Sequence, residues 1–204
     1  MNTKRSVFED FAEYYDRWFD THKDVYRAQV RLLKRAVPRK GQLLEIGVGS
    51  GRFAAPLGIQ NGIDPSRPLV RMAKGRGVNG ALGIGEHLPY RHDSFDAVVM
   101  MTVICFLDDP SKVLREAIRV LIPSGTIIIG FIERDGEIFR HYHAEPEKGR
   151  FLRHAQFYSI DEVTRELRMA GFSSIKKAAQ ERGFCVLTGK KPLVCGTGSV
   201  TLPA

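Results

Sequence analysis

The chain has 204 residues, 43% of them hydrophobic and 26% charged, which fits one domain over 1–204 with a sizeable core and no linker, repeat or low-complexity run. No secretory signal opens the chain and no apolar stretch approaches the ~20 residues of a membrane helix; the three widely spaced cysteines, Cys105, Cys185 and Cys195, lack zinc spacing, so a reduced, cytoplasmic setting without membrane contact is expected. The net charge of +8 and pI near 9.6 raise a nucleic-acid partner, but the basic residues are scattered and no RNA- or DNA-binding motif accompanies them, so a solvated basic surface is the preferred reading.

Residues 6–20 read as an amphipathic helix, with Phe8, Phe11, Tyr15, Trp18 and Phe19 at three- and four-residue intervals and Ser6 and Glu9 in capping-box spacing. Its aromatic density suits a lid, from which Tyr14 or Tyr15 can meet a cation face-on. A second amphipathic helix over 24–36 is stopped by Pro38–Gly41. Residues 43–46 form a buried strand that breaks into Gly47, Gly49 and Gly51 before a short helix over 52–58. Such a turn exposes backbone N–H groups to a polar or anionic ligand, and glycine permits both positive φ and close approach. In the dinucleotide pattern G-x-G-x-x-G the third glycine would fall on Arg52, which opposes a nicotinamide cofactor. Glu45, at the strand's C-terminal end, is placed to hold an ammonium or hydroxyl group.

A second strand over 59–63 ends in Asp64-Pro65-Ser66. Asp64 can accept two ribose hydroxyls, Pro65 ends the pairing, and Ser66 or Asp64 can cap the helix over 67–76. A strand over 78–83, the loop Ile84-Gly85-Glu86-His87-Leu88-Pro89-Tyr90, a central apolar strand over 97–102, a helix over 111–121 capped by Ser111 and a strand over 126–132 follow. The charged segment 133–158 is placed to overhang the site. It holds His141 and His143, which as strand residues would share a face; they are the candidates for a general base, and a metal site would still need a third ligand. A capped helix over 159–170, with Gly171 as its C′ residue, leads to an antiparallel hairpin of 173–179 and 184–189, and 190–204 stay unassigned as a tail.

Several of these stretches resemble the class I S-adenosylmethionine-dependent methyltransferases, in particular the small-molecule branch. Leu43-Leu44-Glu45-Ile46-Gly47-Val48-Gly49-Ser50-Gly51 resembles their first motif, E-x-G-x-G-x-G; Gly62-Ile63-Asp64-Pro65-Ser66 resembles the second; Gly83 to Tyr90 with Ser94-Phe95-Asp96 resembles the adenine loop; and 8–18 resembles their N-terminal lid helix. The resemblance covers most of 8–20 and 41–188. It implies an α/β, Rossmann-like doubly wound sheet of seven mainly parallel strands with an antiparallel last strand and N-terminal lid helices over 1–40. It divides the rest into a cofactor-binding half over 41–132, a substrate-lid insert over 133–158 and a C-terminal helix and hairpin over 159–189. It implies S-adenosyl-L-methionine as cofactor, contacted by Tyr14, Glu45, Gly47, Gly49, Gly51, Asp64, Pro65, Gly85, Glu86, His87 and Thr102, with no metal, and methyl transfer to a small or medium acceptor. The usual adenine-binding aspartate is replaced by Ile84. An NAD(P)-dependent oxidoreductase and a non-catalytic or RNA-associated protein retaining the fold are the competing readings.

Overall fold

A computed structural model of the protein describes residues 3–144 and 149–193; Glu145, Glu147, Cys195 and the tail beyond 193 lie outside the described residues. Seven strands, β1 (Leu43–Ile46), β2 (Asn61–Asp64), β3 (Asn79–Leu82), β4 (Phe95–Met101), β5 (Leu121–Ile132), β6 (Ser173–Glu181) and β7 (Phe184–Lys190), form one sheet in the order β3-β2-β1-β4-β5-β7-β6. All pairs from β3 to β5 are parallel, and β7 runs against both β5 and β6. The expected doubly wound sheet with an antiparallel last strand is therefore present. The reversal of β7 follows from its turn: only Arg182 and Gly183 separate it from β6, at φ 51° and 87°, and two successive positive φ values make the tight hairpin that turns a strand straight back.

The strands show why the sheet is covered on both faces. Along β4, Ala97, Val99 and Met101 join one apolar cluster while Val98 and Met100 join the other; in β7, Phe184 and Val186 oppose Cys185 and Leu187. This period-2 alternation with apolar residues on both sides requires helices above and below. One face packs under α3 (Lys23–Leu33), α4 (Ala54–Leu57) and Ala73 of α5 (Arg67–Gly75); the other packs under α6 (Pro110–Val120) and α8 (Ile160–Met169). The strand order reverses between β1 and β4, and the crevice for ligands in such sheets lies at the C-terminal ends of these strands.

Four local expectations are corrected. The helix over 6–20 is two helices, α1 (Thr3–Asp10) and α2 (Ala12–Thr21), broken at Phe11. Ser6 lies inside α1, so no capping box forms with Glu9; the Glu9 carboxylate instead accepts from the Arg67 backbone N–H (2.9 Å), at the start of α5, where it complements the N–H groups of that helix end. Asp109, not Ser111, caps α6, accepting from Lys112 N–H (2.8 Å), while the Ser111 hydroxyl donates to Glu166 (2.8 Å). Finally β5 starts at Leu121 rather than after a turn: the ladder with β4 shifts register between Phe95 and Ala97, and Ser124, at φ 65°, absorbs the irregularity. Ser159 and Glu162 do form the capping box of α8.

Candidate functional site

The glycine turn leaves β1 with Gly47, Gly49 and Gly51 all at positive φ (73°, 52° and 80°), so its path depends on glycine. The three do different work. A Cβ on Gly47 would lie 2.4 Å from Val103 in the loop after β4, and one on Gly49 would lie 3.3 Å from the Tyr15 ring. A Cβ on Gly51 would lie 3.0 Å from the Cα of Ala73, so Gly51 is where the turn packs on α5 and it faces a helix, not the crevice.

Two carboxylates stand beside the turn. Glu45 is 1% exposed and its Oε2 makes no hydrogen bond. Burial, then the neighbouring Asp64 charge, raises its pKa well above the ordinary value, against the Ala54 backbone N–H. Asp64, also buried, accepts from Gly49 N–H and Ser66 N–H, both at 2.9 Å. Burial outweighs these two bonds and lifts its pKa to about 6. Each Asp64 oxygen keeps acceptor capacity beyond the single bond it receives.

A buried carboxylate with an orphaned oxygen costs folding free energy unless a partner arrives. The pair thus favours a ligand with donor groups or positive charge, held against a backbone turn that admits close contact. Thr102, at the end of β4, faces the same region; it has φ 53°, strained for a β-branched residue, and is held by Thr102 N–H donating to Gly130 (2.7 Å).

The N-terminal helices carry an aromatic cluster beside the turn. Phe8 of α1 meets Tyr15 of α2 edge-on (centroids 5.5 Å), Phe106 in the 3₁₀ turn Ile104–Phe106 (5.0 Å) and Phe151 of the insert, stacked, at 5.0 Å. Burial, then the Asp64 and Glu45 charges, raises the Tyr15 phenol. The lid residue at the site is therefore Tyr15. Tyr14, the expected contact, is 57% exposed, because consecutive residues of a helix point about 100° apart.

An ion-pair network fastens this lid. Arg52 gives two hydrogen bonds to Asp16 (both 2.9 Å) and two to Asp20 (2.8 and 2.7 Å), and Arg76 joins Asp16 (2.8 Å) to the Ser50 carbonyl (2.8 Å). Asp16 and Asp20, four apart on α2, were a readable signal for a basic partner; nothing in the sequence said that the partner was the residue after Gly51.

A model of the methyltransferase domain matches residues 44–129, which run from β1 into β5. A Thermotoga maritima structure, that of a S-adenosylmethionine-dependent methyltransferase, possible histamine N-methyltransferase, superimposes with a TM-score of 0.84 at 34% identity over 92% of this chain and 99% of that one. The chain belongs to the S-adenosylmethionine-dependent methyltransferases. An uncharacterized protein of Methanocaldococcus jannaschii is 42% identical over 171 residues, 84% of this chain and 83% of its own. A malonyl-[acyl-carrier protein] O-methyltransferase of Geobacter sulfurreducens is 28% identical over 84% of this chain and 70% of its own. The protein is thus a methyltransferase using S-adenosyl-L-methionine, and the nicotinamide reading is set aside.

The remaining predicted residues of the methyltransferase fall in three groups. Gly85 and Glu86 are buried in the loop after β3, with the Cβ position of Gly85 filled by Ile46 and Val113; Ile84 is half-buried beside them. Pro65 is exposed, and His87 is on the surface, its Nε2 against the Lys112 ammonium (2.9 Å), so only its backbone is near the loop interior. The strand on which His141 and His143 were expected to share a face is absent: 137–144 form a helix, α7 (Glu137–Ala144). Among the described residues no group of three His, Cys, Asp or Glu side chains is positioned for a metal, and no helix is long and apolar enough to cross a membrane.

Proposed function

We propose that the methyltransferase acts in the cytoplasm on a small or medium organic acceptor admitted beneath the lid of α1, α2 and the insert. The observation that carries the reading is the conjunction of the orphaned Glu45 oxygen with a closed aromatic lid over the glycine turn. When bound, the cofactor supplies a methyl group already activated by its positive sulfur. In this assignment Glu45 holds the ammonium of the methionine end, Gly47 and Gly49 allow the backbone to approach it, and Asp64 accepts the ribose hydroxyls. Ile84, Gly85 and Glu86 border the adenine. Thr102 sets the β4 end facing the methionine end. Tyr15 closes over Gly49 with its ring, and Phe8, Phe106 and Phe151 exclude water above it. Such a site works by holding its two reactants in line in a dry pocket. No residue is assigned as a base: an acceptor that loses its proton after transfer requires none.

The test has two arms. Thermal unfolding with S-adenosylmethionine or S-adenosylhomocysteine at about 100 Kd should add roughly 2.7 kcal/mol, and NAD or NADP should add nothing. Labelled methyl transfer is then measured over a panel of amines, phenols, thiols and carboxylates, with total RNA and acidic carrier proteins alongside. Transfer to one small-molecule class supports the proposal. Transfer only to RNA or protein refutes the acceptor assignment while leaving the cofactor arm intact.

A further inference from the structure

Helix α3 carries Lys23, Arg27, Arg31 and Lys34, all exposed, at intervals of four, four and three residues. That spacing puts them in one file within a narrow arc of the helix, about 6 Å apart per step of four at a rise of 1.5 Å per residue. Arg27, Arg31 and Lys34 also line a surface groove of about 440 Å³ with Tyr26, Val30 and Pro56. Of the file, Arg31 reaches Glu181 (2.8 Å), and both side chains of that pair are largely exposed; Arg27 and Lys34 have no ion pair among the described residues.

The file is only partly matched to its own helix. Like charges four apart repel and Lys23 sits in the first turn, where the helix dipole favours anions, while Arg31 and Lys34 sit at the C-terminal end, where it favours cations. The helix is held by its other face, where Gln29, Val30, Leu32 and Leu33 are buried. Arg27 and Lys34 meet no carboxylate among the described residues, so most of the charge of the file faces outward unneutralised. From this placement we infer that the α3 file and groove dock the phosphate backbone of a nucleic acid, without reading its sequence.

The chemistry favours nucleic acid over an acidic protein. Protein interfaces centre on apolar and aromatic side chains and are depleted in lysine. Here Val25 is the only large hydrophobic exposed on α3. Contacts to nucleic-acid phosphates come from Arg and Lys in series and need no apolar centre. The inference concerns a docking surface and does not depend on which acceptor is methylated, so failure of the acceptor panel leaves it untouched.

The experiment measures fluorescence anisotropy of a labelled single-stranded oligonucleotide against salt. Four phosphate contacts predict that log K falls against log[salt] with a slope of about −3, from about 0.7 per contact on single strands. Arg27→Gln/Arg31→Gln/Lys34→Gln should bring the slope to about −0.7 and weaken binding at least about tenfold at 50 mM salt. Its S-adenosylhomocysteine thermal shift should match the parent, showing an intact fold. Arg91→Gln/Arg115→Gln/Arg165→Gln removes the same charge from exposed positions elsewhere and should leave the slope unchanged. The inference is overturned by no binding at 50 mM salt, by equal loss in the two triple variants, or by polyglutamate peptide or RNA-free acidic protein competing as well as unlabelled oligonucleotide.

Discussion

Asp16 is the residue through which the lid can be loosened most directly. Its side chain is 16% exposed and accepts from both Arg52 and Arg76. Burial by itself would raise its pKa, but those hydrogen bonds win and hold it at about 2, below the ordinary 3.8. A shift of somewhat under two units corresponds to about 2 kcal/mol of stabilisation of the ionised form. Because the folded pKa is depressed, that stabilisation is complete above pH ~4 and is lost as pH falls from ~4 towards ~2. Asp16→Asn removes it while Asp20 keeps Arg52 paired, so the expected cost at pH 7 is about 2 kcal/mol, or roughly 4–8 °C in Tm for a chain of this size. The assay is thermal unfolding of both proteins at pH 7 and across pH 2–5 in low salt. The parent should lose stability on acidification relative to the variant until the two converge. Equal Tm values at pH 7, or parallel pH curves, would refute the view that this network holds the lid closed.

Other outcomes follow from the same geometry. In the proposed assignment both Asp64 oxygens accept from the ribose, which only the carboxylate can do, and its pKa is about 6 without ligand, so Kd for S-adenosylhomocysteine should rise up to about tenfold per unit below pH 6 and stay flat above it; calorimetric titration checks this, and in Asp64→Asn the pH step should vanish along with most of the affinity. Tyr15→Ala should weaken cofactor binding at least about tenfold, whereas Tyr14→Ala, on an exposed residue, should change it less than about twofold; the reverse order would return the lid role to Tyr14. Ser159→Ala breaks the capping box of α8 and should cost about 1 kcal/mol in denaturant unfolding with no change in cofactor affinity.

The central architecture was legible because its signals are local. Apolar runs bounded by glycine, proline or acidic residues located β1, β2 and β4, and the two-residue Arg182–Gly183 turn made the β6–β7 hairpin short enough to see. What was illegible depends on neighbours distant in sequence. Ser111 has the right chemistry for a cap, but its hydroxyl goes to Glu166, far along the chain, and with Pro110 in the first helical position the cap falls two residues earlier, on Asp109. The alternation in His-Tyr-His reads as a strand face, yet 137–144 fold as a helix in which Tyr142 is buried. Tyr15 lies in the apolar series at three- and four-residue spacing and Tyr14 does not, but only the docking of α2 shows that this face meets Gly49. Phe151 falls within the segment 133–158 expected to overhang the site, but the sequence singles out neither it nor Phe106, because their place beside Phe8, and that of Phe151 beside Tyr15, depends on contacts between segments far apart in the chain.

Arg52 connects cofactor choice to lid closure. In a dinucleotide turn the third glycine falls at this position and lets helix and strand pack closely. Here the close packing is done one residue earlier, by Gly51 against Ala73, which frees position 52 to carry a long side chain. That side chain projects to α2 and forms a fork on two carboxylates, a geometry that lysine cannot reproduce. The turn that the proposed function makes the floor of the cofactor site is therefore also tied to α2. Arg76, which donates to both the Ser50 carbonyl and Asp16, adds a second link from the turn to α2. Asp16 and Asp20 supply the α2 side of these links and Tyr15, one residue before Asp16, meets Gly49.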